Sequence, residues 1–312
     1  MTISADEVAT GGEAPLGSVP IIEVGGTHVT TAWIDTQNWL PSAVVRRHLD
    51  SAADGPTLIA EFVAAASALH APAGAAWGVA MPGPFDYAAG VGLFHGVAKF
   101  ESLNGVDVRA ALLDGIRPQP GSIGFINDAS AFLVGEWLAG AARGVRRAAA
   151  ITLGTGIGSG FLADGRVVDS GPSVPPDGEV HLVVHEGKPV EDWVSRRALV
   201  RDYRAAGGDP ALDVREIAER ARAGESRAAQ LFESSFRLLG QILAPVMARF
   251  EAELLVLGGS ISGAFDLIET PFREGLSGVR GLDVALAADA ERSALVGAAY
   301  PALPDSARPS TG

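Results

Sequence analysis

The chain has 312 residues, is 47% hydrophobic and carries a net charge of −13, which allows a sizeable core in one large domain or two of ordinary size. Its acidic balance gives no electrostatic basis for binding nucleic acid or an anionic membrane, both of which need clustered Lys and Arg. The absence of cysteine removes disulfides, thiolate nucleophiles and cysteine-ligated zinc, and with no signal-like leader and no uncharged run of about 18 residues the expected location is cytoplasmic.

Residues 1–18, "MTISADEVATGGEAPLGS", are polar, acidic and glycine-rich without a sustained period and read as a loose tail, as do residues 305–312. Between them, apolar strand-like runs alternate with longer helical patterns, as in an α/β chain. "VPIIEV", "HVTTAWID", "GVAMPG", "IGFIND", "AAAITLG", "GSGFLADG" and "ELLVLGG" read as strands. "PTLIAEFVAAASALH", "DVRAALLDG", "ASAFLVGEWLAGAARG" and "ESRAAQLFESSFRLLGQILAPVMARF" read as helices, the last either unusually long or broken near Pro245, and Gly144 is placed to end the third. "IIEVGGTHVTTAWID" and "ITLGTGIGSGFLADG" each read as strand, tight Gly/Thr turn, strand, a weak repeat that duplicated lobes would produce. Residues 161–195, rich in Pro, Gly, Glu, Asp and His, read as a loop-rich functional insertion.

No Walker sequence is present, and Ser159 stands where a dinucleotide fingerprint starting at Gly154 needs its third glycine. Phosphate can still be held by backbone N–H groups of a glycine turn with a threonine hydroxyl as a further donor. Gly25-Gly26-Thr27 and Gly154-Thr155-Gly156 fit that description; each also fits an ordinary hairpin turn. Gly258 and Gly259 follow a buried strand, where a flat adenine or a plain strand-to-helix turn are both in keeping with the pattern. Asn127 and Asp128 end the strand "SIGFI", so Asp128 is either a helix cap or a functional carboxylate; Ala131 stands where a capping box needs Glu or Gln.

Taken together, "EVGGTHVTTAWID", "MPGPFD", "NGVDVRAALL", "INDASAFLVGEWLAGAARG", "ITLGTGIGSGFLADG", "VEDWVSRRAL", "LLVLGGSIS" and "ALVGAA" resemble, in order and spacing, the ROK family of repressors, uncharacterised proteins and sugar kinases over about residues 20–300. The resemblance implies the two-lobed actin-like ATPase (ribonuclease H-like) α/β fold of the sugar kinases, with the active site in the interlobe cleft. The expected division is a smaller lobe at 19–126, a larger one at 127–290, and a C-terminal helix at 291–304 packing back on the first lobe. It assigns Gly25, Gly26 and Thr27 to the first phosphate turn, Gly154, Thr155 and Gly156 to the second, and Gly258 and Gly259 to the nucleotide. Asp128 matches the catalytic base, Asn127 a sugar-hydroxyl ligand, and Glu191 the sugar-binding glutamate; Gly83, Pro84 and Asn104 fall where the smaller lobe approaches the sugar.

Three departures stand out. "HEGKPVEDW" replaces the family's cysteine zinc motif, so zinc is not expected. Glu23 stands for the usual Asp before the first turn, as a candidate group near Mg²⁺. The family's Glu-x-Gly-His sugar motif is one residue short, as Glu179-Val180-His181. The implied activity is ATP- and Mg²⁺-dependent phosphorylation of a hexose hydroxyl, glucokinase-like at the 6-hydroxyl, by a homodimer. The alternatives are a non-catalytic or regulatory sugar-binding protein, which the short segment before the first turn disfavours for a DNA-binding repressor, and a glucokinase using polyphosphate. Arg143, Arg146 and Arg147 could serve that donor, but are read as a solvated helix end.

Overall fold

Each half of the chain opens with an antiparallel hairpin. β1 (Ser18–Val24) pairs with β2 (His28–Asp35), and β3 (Pro41–His48) extends that ribbon as an edge. On the other side of β1, β4 (Ala76–Met81) and then β5 (Ser122–Asn127) add in parallel, giving the order β3-β2-β1-β4-β5. The second sheet is built the same way from β6 (Arg147–Leu153), β7 (Ile157–Ala163), β8 (Arg166–Val167), β9 (Leu254–Gly258) and β10 (Asp283–Leu286), in the order β8-β7-β6-β9-β10. β6 and β7 are antiparallel, while β9 joins β6 in parallel and β10 joins β9 in parallel. The weak sequence repeat is therefore a structural one: its two segments form corresponding hairpins of two sheets with the same strand order. The computed structural model describes residues 16–304, so the expected tails, apart from residues 16–18, lie outside the described residues.

The helices follow local chemistry. α1 (Gly55–Ser67) starts where the Asp54 side chain accepts the Thr57 amide, and α2 (Val108–Gly115) where Asp107 accepts that of Ala110. α3 (Asp128–Ala139) follows β5 directly and ends before the Gly144 turn, where φ is +77°. In the second half, α4 (Arg196–Ala205) is capped by Ser195, α5 (Val214–Arg222) begins with an Asp213/Glu216 capping box, and α6 (Ser226–Phe250) is continuous. Pro245 lies inside α6 without ending it. The proline removes the bond to the Gln241 carbonyl, and both residues sit on the exposed face where water can replace it. α7 (Phe265–Gly275) and α8 (Ala290–Ala298) complete the set.

The chain divides into two units, one holding residues up to Ala139 together with those from Glu291 on, the other Gly140–Ala290. The first thus extends beyond residue 126, because β5 runs straight into α3 and α3 packs on α8. That packing is backbone to backbone: a Cβ on Gly135 would overlap the Ser293 carbonyl, and one on Gly297 the carbonyl of Ala131. Buried Ser293 also donates to Glu136 Oε1 at 2.6 Å. In the second unit α6 and α7 cross on Gly240 and Gly275 in the same manner.

Gly297→Ala should lower unfolding free energy by about 1–3 kcal/mol, because the methyl group has no space to enter. Gly278→Ala, with nothing within 4 Å of the added carbon, serves as the control in the same denaturant titration. Equal midpoints for the two variants would rule out the close helix crossing.

Candidate active site

In the first unit, the end of β5 and the start of α3 divide the labour between two neighbouring side chains. Asn127 Oδ1 accepts the amides of Ala129 at 3.0 Å and Ser130 at 3.1 Å, so Asn127 is the cap of α3. Its Nδ2 donates to the Tyr87 hydroxyl at 3.0 Å, and that hydroxyl donates to the Met81 carbonyl. Tyr87 packs on Phe85 within an aromatic group that includes Phe94, Phe100 and Phe125, so the cap rests on the core. Asp128 accepts the Ala129 amide on Oδ1 at 2.8 Å and also interacts with its own amide, and among the described residues no other side chain is hydrogen-bonded to its carboxylate.

Asp128 is half-buried, and the loss of solvent pushes its carboxyl above the ordinary aspartate range. The Ala129 amide opposes that shift, the Glu23 charge adds to it, and Lys99 acts against it. Glu23, near the end of β1, has its carboxylate 3.6 Å from His28 Nε2. Between Glu23 and His28 runs the first glycine turn, closed by the Gly25 amide on the His28 carbonyl at 2.8 Å. Neither Gly25 nor Gly26 has a positive φ. A Cβ on Gly25 would meet the His28 ring at 2.8 Å, and one on Gly26 would meet Lys99 Nζ at 2.6 Å, so each glycine lies under the end of a side chain. Thr27 is exposed at the tip.

Asn104 and Pro84 are held by a common strand segment. The Leu93 amide donates to the Pro84 carbonyl and the Gly105 amide to that of Gly92, which places Gly83-Pro84 and the exposed Asn104 around one short ribbon, Phe85–Asp86 with Val91–Gly92.

In the second unit, the Gly154 amide closes its turn on the Gly156 carbonyl at 3.0 Å, and the Gly154 carbonyl accepts the Arg196 amide at the start of α4. Glu191 Oε1 accepts the Ile157 amide at 2.7 Å, leaving no space for a side chain on Gly156. The residue assigned to the sugar thus also braces the second turn. Thr155 is exposed at its tip. Gly259, φ +86°, follows Gly258 out of β9 against the Leu153 backbone, and Ser260 Oγ lies 3.6 Å from a Cβ on Gly154, so the nucleotide-end glycines and the second turn are neighbours.

Two residues along β7, buried Ser159 ties down the shortened motif. Its hydroxyl donates to the Gly178 carbonyl at 2.7 Å and accepts the Val180 amide at 2.8 Å, which brackets Glu179. Glu179 and His181 then meet each other, Oε2 to Nε2 at 3.2 Å. The segment standing in place of the zinc motif closes as a ribbon, Val184–His185 with Lys188–Pro189; Trp193 Nε1 donates to the His185 carbonyl and Lys188 lies over the Trp193 ring. Arg146 pairs with Glu253, and Arg147 donates to the Phe250 carbonyl and stacks on its ring, at the opposite end of β6 from the glycine turn. Tyr87, Lys99 and Ser159 carry no motif signature, and their places become visible only through contacts distant in sequence.

Among the described residues no helix is long and apolar enough to cross a membrane. A glucokinase of Thermotoga maritima is 27% identical over 220 residues, covering 63% of this chain and 67% of that protein; the chain spans less than half the length of two further curated relatives, 46% and 45%. A solved ROK hexokinase from Thermus thermophilus superposes with a TM-score of 0.74 at 25% identity, covering 91% of this chain and 97% of that one. An inorganic polyphosphate/ATP-glucomannokinase from Arthrobacter sp. strain KM does so with a TM-score of 0.63 at 26% identity and the same coverage, 91% and 97%. The fold is the actin-like ATPase fold of the ROK sugar kinases, and with the ROK family model matching residues 20–302, the chain belongs to the ROK family.

Proposed function

We propose that the protein is an ATP-dependent sugar kinase that phosphorylates a hexose hydroxyl, the 6-hydroxyl of glucose or a close relative, with Asp128 as general base. The observation that carries this reading is the desolvated Asp128 carboxylate, which among the described residues no other side chain hydrogen-bonds and whose capping duty is taken by Asn127. A sugar hydroxyl is a poor nucleophile at neutral pH, so a carboxylate must take its proton as the new oxygen–phosphorus bond forms. A carboxylate made more basic by burial is better matched to that task than a solvated one. The kinship with a glucokinase and with hexose kinases supports the substrate class.

The Gly26 and Thr27 amides take no part in the hydrogen bonds of their turn and can donate to donor phosphates, as the Thr155 tip can in the second unit. The Glu23 carboxylate, near Asp128 and mostly shielded from solvent, suits a hard cation that one or two carboxylates and substrate phosphates hold together. When bound, Mg²⁺ would neutralise charge on the phosphates. Glu191, Glu179, His181, Asn127 and Asn104 are the proposed sugar contacts. ADP release measured over a panel of hexoses, and repeated with polyphosphate as donor, tests the activity; no sugar-dependent turnover with either donor would sink it and leave a sugar-binding protein.

Asp128→Asn should reduce turnover by about two to four powers of ten while leaving α3 capped. Asn127→Ala should instead cost about 1 kcal/mol or more of stability, by losing the cap and the Tyr87 partner. The pH dependence has a definite sign. Because the folded-state pKa of Asp128 lies above its unfolded value near 3.8, its favourable contribution is complete below the unfolded value and is lost as pH rises through the folded one. Asp128→Asn should therefore gain stability relative to wild type as pH rises across that interval. Parallel stability–pH curves for the two proteins would show that Asp128 is not desolvated as described.

Glu191→Gln should raise the sugar KM roughly tenfold or more, with nucleotide affinity nearly unchanged. Ser159→Ala should raise the sugar KM as well, by releasing the bracket around Glu179. An unchanged sugar KM in both variants would remove the second-unit carboxylates from the sugar site.

A further inference from the structure

Lys99 belongs to none of the ROK motifs in this chain, yet its side chain runs along the first glycine turn. Measured from the position a Cβ would take on Gly26, Lys99 Nζ is at 2.6 Å, Cε at 3.2 Å and Cδ at 3.4 Å. The outer half of the side chain therefore fills the space the glycine leaves. The backbone that presents it is anchored: the next residue, Phe100, is buried at φ +59°, its amide donates to the Ser51 carbonyl at 2.8 Å, and its ring packs on Phe94 with centroids 5.6 Å apart. The lysine itself is exposed. A lysine with a fixed base and an accessible ammonium, lying over backbone amides that have no partner in their own turn, is an arrangement for an anion.

The surrounding charge makes the same demand. Glu23 and Asp128 put two carboxylates beside a turn expected to receive a polyphosphate, in a chain with a net charge of −13. Like charges at such range oppose binding unless a cation offsets them. Lys99 lies against Gly26 and its charge also acts on Asp128, so one ammonium serves both the turn and the base. The phosphate that approaches both of these is the one being transferred.

We propose that Lys99 binds the terminal phosphate of the donor nucleotide at the Gly25-Gly26-Thr27 turn and offsets its charge during transfer. This rests on the kinase reading above. Lys99→Met keeps the stem against Gly26 and removes the charge; Lys99→Arg keeps the charge. Calorimetric titration of full-length protein with ADP and with the non-hydrolysable ATP analogue AMPPNP, both with Mg²⁺, separates the terminal phosphate from the rest of the nucleotide. Lys99→Met should weaken AMPPNP binding by about tenfold or more, the loss expected for a charge-assisted hydrogen bond, with ADP affinity changed by less than about threefold and Lys99→Arg recovering part of the difference. A Lys99→Met variant that keeps the wild-type ratio of the two affinities overturns the assignment of Lys99 alone. Wild-type protein that binds neither nucleotide overturns the kinase reading and this proposal with it.

Discussion

A carboxylate at the start of a helix is normally drawn into capping it, and one that caps is held in the orientation the helix amides dictate. In this protein the conflict is resolved by Asn127, whose amide oxygen takes the first free amides of α3. The remaining arrangement follows from that single exchange. Asn127 is fixed by Tyr87, Tyr87 by the Met81 carbonyl and the aromatic group beneath, and Asp128 keeps, in a partly dry setting, a carboxylate that among the described residues no other side chain hydrogen-bonds. The cost of desolvating the carboxylate falls on the stability of the first unit, as is common where charge is placed for function.

The glycines of the two Gly/Thr turns differ in what surrounds them. Gly25, Gly26, Gly154 and Gly156 all lie outside the positive-φ region, and three of them face the end of a side chain: His28, Lys99 and Glu191. Gly259 differs, because both its φ of +86° and the Leu153 backbone exclude a side chain. The turn sequences thus carry information about what must approach them, beyond the loop conformation they permit.

This explains what could be read in advance. The central strands of both sheets, buried on both faces, announce themselves as apolar runs, and the two hairpins show in the repeated Gly/Thr turns. β3 and β10 escape because they are sheet edges: "PSAVVRRH" is half-exposed and charged, and "DVAL" is only a few residues long. Which of Asn127 and Asp128 caps α3 depends on a rotamer and on Tyr87, 40 residues away in sequence. Lys99 and Ser159 owe their positions to contacts across loops, and neither residue type at those positions signals a site. The duplicated strand order, by contrast, was present as a faint self-similarity between residues 21–35 and 151–165.

The first unit is assembled from two stretches of chain separated by the whole of the second. Its sheet and α3 present glycine-floored surfaces at Gly78, Gly124 and Gly135 that α8 and the turn after it cover, with the Ala298 carbonyl against Gly78 and Pro301 against Gly124. On a ribosome these covering residues emerge after the whole of the second unit. The continuous second unit can complete its contacts as soon as it clears the exit tunnel, while the first waits with an uncovered sheet face until α8 has been made. The helix that bears the Asp128 carboxylate is therefore locked in place only after the second unit and α8 have been made, and a chain interrupted before α8 carries the residue without the packing that holds it.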